Sequence, residues 1–259
     1  MKKCYLGGQL SILFFGTMAI FTSELPGYFS LSTSAQEIPV YDITPDRDFV
    51  EQCQSVTVRI VKDNSAGSGT IVARKGNTYS VLTNWHVVDS SEPGILTIDD
   101  QYHQLVETPQ QLGSADLAIL RFVSDREYPV ATITTETPQI GDTVYAAGFP
   151  LVLEDGVSTL NLGNQAFRLT EGQVSIIPEK PLPQGYRLGY TNQTENGMSG
   201  SPIFNDRGLL VGIHGRGKYR DPAFGVYLFE DGSEPNPEQL QQMIESSWGI
   251  PISLYEQLK

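Results

Sequence analysis

The 259-residue sequence predicts an all-β protein, a sandwich or barrel, on three observations. Short runs rich in β-branched and aromatic residues recur along the chain. Turn signals separate them at close spacing, and a helical period is clear only near the C-terminus. The first set of strands is SVTVRIV (55–61), GTIVARK (69–75), NTYSVLT (77–83), ILTI (95–98), QYHQLVE (101–107) and LAILRFV (117–123). Lys75-Gly76-Asn77 supplies a hairpin turn and Asp99-Asp100 a second. The second set is DTVYAAGF (142–149), FRLTEGQVSII (167–177), GYRLGYT (185–191), SPIF (201–204), LLVGIHG (209–215) and FGVYLF (224–229). Near the end Asn236 can cap a helix and Pro237 suits its first position. Leu240, Met243, Ile244 and Trp248 then fall on one face, and Gly249-Ile250-Pro251 stops the run, which predicts a helix over 237–248.

Residues 1–35 are set apart from this fold. Lys2 and Lys3 precede the apolar run LSILFFGTMAIF (10–21), and Thr33-Ser34-Ala35 offers small residues for cleavage. This is the layout of a secretory signal peptide. The apolar run is short of the roughly twenty residues of a spanning helix, so export is expected, to a periplasm or the cell exterior, and not anchoring. Residues 36–48 (QEIPVYDITPDRD), polar with two prolines, read as an extended arm or propeptide. Loss of residues 1–35 removes two lysines and one glutamate, leaving 15 basic and 29 acidic residues. Such a chain is not built to neutralise phosphates, so no nucleic-acid partner is expected. Its cysteines are Cys4, inside the signal segment, and Cys53; the mature chain can form no internal disulfide and no thiolate metal cluster. A hydrophobic share of 39% must therefore stabilise it through its core.

Cofactor chemistry finds no motif. The three histidines, His86, His103 and His214, form no pair at helical spacing, so no metal site is expected. GSGT (67–70) has too few glycines for a phosphate loop and enters a strand instead of a helix. Nucleophilic catalysis fits better. A serine hydroxyl needs a general base within hydrogen-bond reach, and a neutral imidazole serves if a carboxylate holds its other nitrogen. His86 stands in TNWHVV after an apolar strand, and Asp116 in SADLAIL before another. TENGMSGSPIF (194–204) carries two serines. Ser199 has Gly197 two residues upstream, which lets the chain bend so that the amides of both residues converge on one oxyanion. Ser201 has Ser199 at that place and reads as the start of the next strand. Taken singly, each residue also fits a bland role: a partly buried histidine, a strand-edge aspartate, a serine in a turn.

Together these blocks resemble the chymotrypsin/trypsin-like serine peptidases, above all the bacterial branch of HtrA-type proteases and glutamyl endopeptidases. GSGT, TNWHVV, ADLAIL and GMSGSPIFNDRGLLVGIHG follow the family's order of His, Asp and Ser from about residue 54 to 229. The resemblance implies two six-stranded antiparallel β-barrels, at about 49–134 and 135–232, a C-terminal helix at about 237–248, and a cleft between the barrels. It implies a catalytic triad of His86, Asp116 and Ser199, an oxyanion hole from Gly197 and Ser199, no cofactor, protein or peptide substrates, and a monomer. Met198 stands where trypsin-type zymogens have an acidic residue, so their activation switch is missing. The chain leaves no room for a PDZ domain after the second barrel, which points to a self-contained peptidase. The resemblance places Gln193, Thr194 and His214 around the primary specificity pocket. Gln193 is not the acid of a trypsin-like pocket, whereas Thr194 and His214 match residues that bind a substrate carboxylate in glutamyl endopeptidases. Arg216 would add positive charge if it points inward. A protease-fold protein that binds without cleaving stays as the alternative, and a β-rich adhesion module as a third.

Overall fold

The computed structural model describes residues 46–62, 65–89, 93–154 and 157–259. The predicted signal segment 1–35, and the arm as far as residue 45, lie outside the described residues. The last residues of that arm begin a helix, α1 (Arg47–Val56), which also takes the first two residues of the predicted strand 55–61. Its buried face, Cys53 and Val56, turns towards the sheets, and burial pushes the free Cys53 thiol up to about 12. The helix thus covers apolar surface that an extended arm would leave in water.

The first half is a seven-stranded antiparallel sheet. Its strands are β1 (Thr57–Lys62), β2 (Ser65–Lys75), β3 (Thr78–Thr83), β4 (Gly94–Leu96), β5 (Tyr102–Gln104), β6 (Gln110–Gln111) and β7 (Ala118–Val123). Their order is β5-β4-β1-β2-β3-β7-β6. The all-β fold is as predicted, but this half has seven strands and stays open where six in a closed barrel were expected. Its end strands β5 and β6, three and two residues long, do not pair with each other. A single-turn helix, α2 (Trp85–Val88), leaves β3.

The second half is a closed six-stranded barrel, as expected. After β8 (Thr143–Gly148) come a short hairpin, β9 (Leu153–Glu154) and β10 (Val157–Ser158), then β11 (Arg168–Ile176), β12 (Leu188–Tyr190), β13 (Pro202–Asn205), β14 (Leu210–Arg216) and β15 (Ser247–Pro251). The barrel closes in the order β11-β12-β15-β14-β13-β8.

Two expectations fail here. FGVYLF (224–229) is not a strand: Pro222–Phe224 form a 3₁₀ turn capped by the Asp221 side chain, and Gly225 ends it at φ +67. The predicted helix over 237–248 is α3 (Pro237–Ile244) alone. Its start is as read, with the Asn236 side chain accepting from the Gln239 N–H in a capping box. Trp248 instead lies in β15, which supplies the strand that closes the barrel against β12 and β14. A second helix, α4 (Ile252–Leu258), follows.

Period-2 alternation sorts side chains into three apolar clusters. Ala118, Leu120 and Phe122 of β7 face the core of the first sheet, while Ile119 faces the opposite way. Val144 and Ala146 of β8 fill the barrel, while Tyr145 and Ala147 face outward. The outward residues of both halves meet in the largest cluster, with Leu82, Tyr186, Phe204, Ile213 and Trp248. That shared core holds the two halves in register.

Candidate active site

His86 lies on α2, whose Val87 and Val88 are buried in the first-sheet core. Asp116 immediately precedes the apolar run into β7 and is 3% exposed. Burying a carboxylate is costly unless donors meet it, and here they do. His86 Nδ1 lies 2.7 Å from Asp116 Oδ2, and the His86 backbone N–H donates to Oδ1 at 2.9 Å. The Tyr186 hydroxyl donates to Oδ2 as well. Asn84 Nδ2 donates to the Asp116 carbonyl at 2.9 Å, and the Asp116 N–H donates to the Gln184 carbonyl at 3.0 Å. Burial acts to raise the Asp116 carboxyl, yet the bonds and charge of His86 and the Tyr186 hydroxyl outweigh it and hold the group below the ordinary carboxylate value. The His86 side chain keeps 46% of its exposure against 4% for Asp116. With Nδ1 committed to the carboxylate, Nε2 is the nitrogen available to the open side.

Ser199 belongs to a pair of linked turns built on glycine. The Met198 N–H donates to the Glu195 carbonyl at 3.1 Å, and the Ser201 N–H to the Met198 carbonyl at 2.9 Å. Gly197 and Gly200 occupy the third position of these turns at φ +89 and +88, the backbone that type II turns demand. A Cβ on Gly197 would also lie 2.6 Å from the Phe149 carbonyl oxygen. Neither the Gly197 nor the Ser199 N–H donates to any acceptor among the described residues, so both are free for a ligand oxygen. The Ser199 side chain likewise has no hydrogen bond among the described residues; His86 and Asp116 are bonded to each other, and Ser199 is not bonded to either.

What ties the Ser199 turn to the first sheet is GSGT, one of the blocks that carry the resemblance but one given no part in the site from sequence. The Ser68 N–H donates to the Ser199 carbonyl at 2.8 Å, and Ser68 Oγ donates to the Gly197 carbonyl at 2.9 Å. Ser68 Oγ also accepts the Phe149 N–H at 3.0 Å. A Cβ built on Gly67 would lie 2.5 Å from Val87 and 3.4 Å from the Ser199 carbonyl oxygen, so the residue after His86 and the Ser199 turn flank the same glycine. From the other side, the Leu151 N–H donates to the Asn196 carbonyl at 2.6 Å. Arg59, fully buried in β1, donates to the Thr159 carbonyl at 2.8 Å and so fixes the segment behind that turn.

The three pocket residues differ sharply. Gln193 is exposed. Thr194 Oγ1 lies 3.1 Å from Ser247 Oγ, which donates to the Asn192 carbonyl at 2.9 Å. His214 is 2% exposed, with Nδ1 2.5 Å from the fully buried Tyr190 hydroxyl. Burial, with the charges of His86 and Arg220, pushes it down to about 3, so it is neutral at ordinary pH. Arg216 does not turn inward: its guanidinium stacks 3.9 Å from the Tyr186 ring centre and donates to Gln184 Oε1 at 3.0 Å. A Cβ built on Gly217 would lie 3.6 Å from Thr194 Oγ1, and the next residue, Lys218, donates its amine to the Thr191 carbonyl. His103 packs on Phe122 and bonds Tyr128 and Thr97, away from the site. Among the described residues no group of His, Cys, Asp and Glu converges as a metal site.

A family model described as a trypsin-like peptidase domain matches residues 67–213, more than half of the chain, and the chain belongs to that family. It is 30% identical over 154 residues to the serine endoprotease DegS of Salmonella typhimurium, covering 57% of this chain and 38% of the relative. It is 27% identical over 170 residues to a probable periplasmic serine endoprotease, DegP-like, of Halomonas elongata, covering 62% and 32%. A glutamyl endopeptidase of Staphylococcus aureus is 24% identical over 184 residues, covering 63% and 50%. The chain thus spans between about a third and a half of the length of these relatives. Two solved structures share the fold. The serine endoprotease of Yersinia pestis has a TM-score of 0.55 at 23% identity, covering 82% of this chain and 65% of that one. An inactive mutant of Rv3671c from M. tuberculosis has a TM-score of 0.57 at 16% identity, covering 83% and 92%.

Proposed function

We propose that the protein is an exported serine endopeptidase that cleaves peptide bonds through His86, Asp116 and Ser199. The observation that carries the reading is the His86–Asp116 pair, bonded twice and half open to solvent, beside a turn that leaves the Gly197 and Ser199 amides free. Ser199 Oγ attacks the scissile carbonyl carbon and its proton passes to His86 Nε2. The imidazolium is stabilised by the Asp116 carboxylate, and the oxyanion by the two amides. Collapse of the adduct breaks the C–N bond as His86 protonates the leaving amine. Water then attacks the acyl-enzyme, gives its proton to His86, and releases the acid and the free serine. Export is supported by the basic-then-apolar N-terminal segment and by the periplasmic naming of the Halomonas relative. Among the described residues no helix is long and apolar enough to cross a membrane. The test is fluorophosphonate labelling of the folded protein: the wild type is labelled and Ser199→Ala is not. A folded wild type that stays unlabelled would instead support a protein that binds without cleaving.

The preferred residue before the cut is proposed to be acidic. The support is the Thr194 and Ser247 hydroxyls and the similarity to a glutamyl endopeptidase. His214 enters as a neutral pocket wall, since its Nδ1 is taken by Tyr190 and its ring is buried. A peptide-library profile should rise at Glu or Asp and fall about tenfold there in Thr194→Val, the loss of a bond to a charged group. A flat profile in the wild type would remove the preference.

A further inference from the structure

The Asp116 carboxylate has a partner that lies 70 positions away in the chain and in the other half of the fold. Tyr186 is fully buried, and its hydroxyl donates to Oδ2, the same oxygen that faces His86 Nδ1. Several features serve this one contact. The carbonyl of Gln184, held at φ +68, accepts the Asp116 N–H, so the corner at 184–186 is tied to Asp116 twice. Arg216 stacks on the exposed side of that corner, over the Tyr186 ring and onto the Gln184 side chain. Gly215 leaves the room: a Cβ built there would lie 2.1 Å from the Tyr186 hydroxyl oxygen.

We propose that Tyr186 is a positioning residue that fixes Asp116 and tempers its charge, a role that rests on the peptidase reading above. His86 meets each carboxylate oxygen once, Oδ1 through its backbone N–H and Oδ2 through Nδ1, which leaves the second lone pair of the buried Oδ2 in need of a further donor. The Tyr186 hydroxyl supplies it from the second barrel, so the base pair of the first sheet is oriented by both halves. Burial and the Asp116 charge push the Tyr186 phenol well above its usual range, so it remains a donor at any working pH. By withdrawing charge from Oδ2 it weakens the carboxylate's pull on an imidazolium at His86.

Tyr186→Phe keeps the ring beneath Arg216 and removes only the donor. Loss of one hydrogen bond to a buried charge should lower kcat about tenfold with KM nearly unchanged. The acid limb of the kcat/KM profile should move up by about half a pH unit as the unshared carboxylate favours the imidazolium. Gly215→Ala should give the same upward movement by displacing the hydroxyl while the tyrosine remains, and it carries the test if Tyr186→Phe fails to fold. A purely structural tyrosine would lower stability and leave the limb in place. An acid limb that stays or moves down in the folded variants overturns the proposal while the wild type still takes fluorophosphonate. A wild type that takes no label overturns this proposal together with the peptidase reading.

Discussion

The two sides of the site are built in opposite ways. The His86–Asp116 side is wired through side chains: a carboxylate that is 3% exposed meets one ring nitrogen, one backbone amide and one phenol. The Ser199 side has almost no side-chain wiring of its own. Its shape comes from two positive-φ glycines and from Ser68, which bonds the carbonyls on either side of Met198. The difference fits what the proposed reaction would ask of each side. An acid–base pair needs fixed partners for a charge that appears during reaction, so its bonds exist beforehand. An oxyanion hole needs donors with no partner until substrate arrives, so only the backbone around them can be fixed.

The contrast is broken most severely at Gly200. A methyl there would lie 2.0 Å from the Ser68 carbonyl oxygen and 2.2 Å from Thr83 Oγ1, on a backbone at φ +88. The first contact is with main chain that is itself hydrogen-bonded to Thr83, so no side chain can swing clear. Crowding of this kind costs about 1–3 kcal/mol, and the left-handed backbone roughly 1–2 kcal/mol more. Gly200→Ala is therefore expected to lose about 3 kcal/mol in urea unfolding and to abolish fluorophosphonate labelling. Labelling at the wild-type rate would show that the turn tolerates a different backbone and that its glycines are not its framework.

The same contrast explains what could be read in the sequence. The proposed triad of His86, Asp116 and Ser199 could be put forward from sequence because its chemistry needs particular residue types in one order. Gly197 could be put forward because a bend before Ser199 needs glycine, and its φ of +89 is such a bend. Tyr186 and Ser68 could not be, since a phenol and a hydroxyl are ordinary residues of β proteins. Their partners lie 70 and 129 positions away. Strands with strong alternation, such as 117–123 and 142–149, fell close to their observed bounds. The C-terminal segment misled because Leu240, Met243, Ile244 and Trp248 do share a helical spacing. Barrel closure claims Trp248 for β15, and its indole N–H returns to the Met243 carbonyl at 3.0 Å across the bend. Tertiary pairing there outweighed local period. FGVYLF misled for the reverse reason: strand-forming residue types sit beyond a Pro222–Gly225 turn and pair with nothing in the barrel.

Ser68→Ala is the milder test, since it removes a side chain and leaves every backbone dihedral allowed. Ser68 Oγ joins three pieces: it donates to Gly197, accepts from Phe149, and thereby ties β2 to the end of β8 and to the Ser199 turn. Without it the Phe149 N–H and the Gly197 carbonyl lose a partner inside the protein. One unsatisfied buried group costs about 1–3 kcal/mol, and the Ser68 backbone bond to Ser199 would still hold the turn. The fold should survive with about 2 kcal/mol less stability. If the amides form the oxyanion hole, the looser Gly197 should appear as a fall in kcat of about tenfold with KM unchanged, because the lost interaction matters only in the transition state. The acid limb should stay where it is, because no donor to Asp116 has been touched. A shift of that limb in Ser68→Ala would show that the two sides are not separately built, and would remove the distinction between a bonded base and a turn shaped by its backbone.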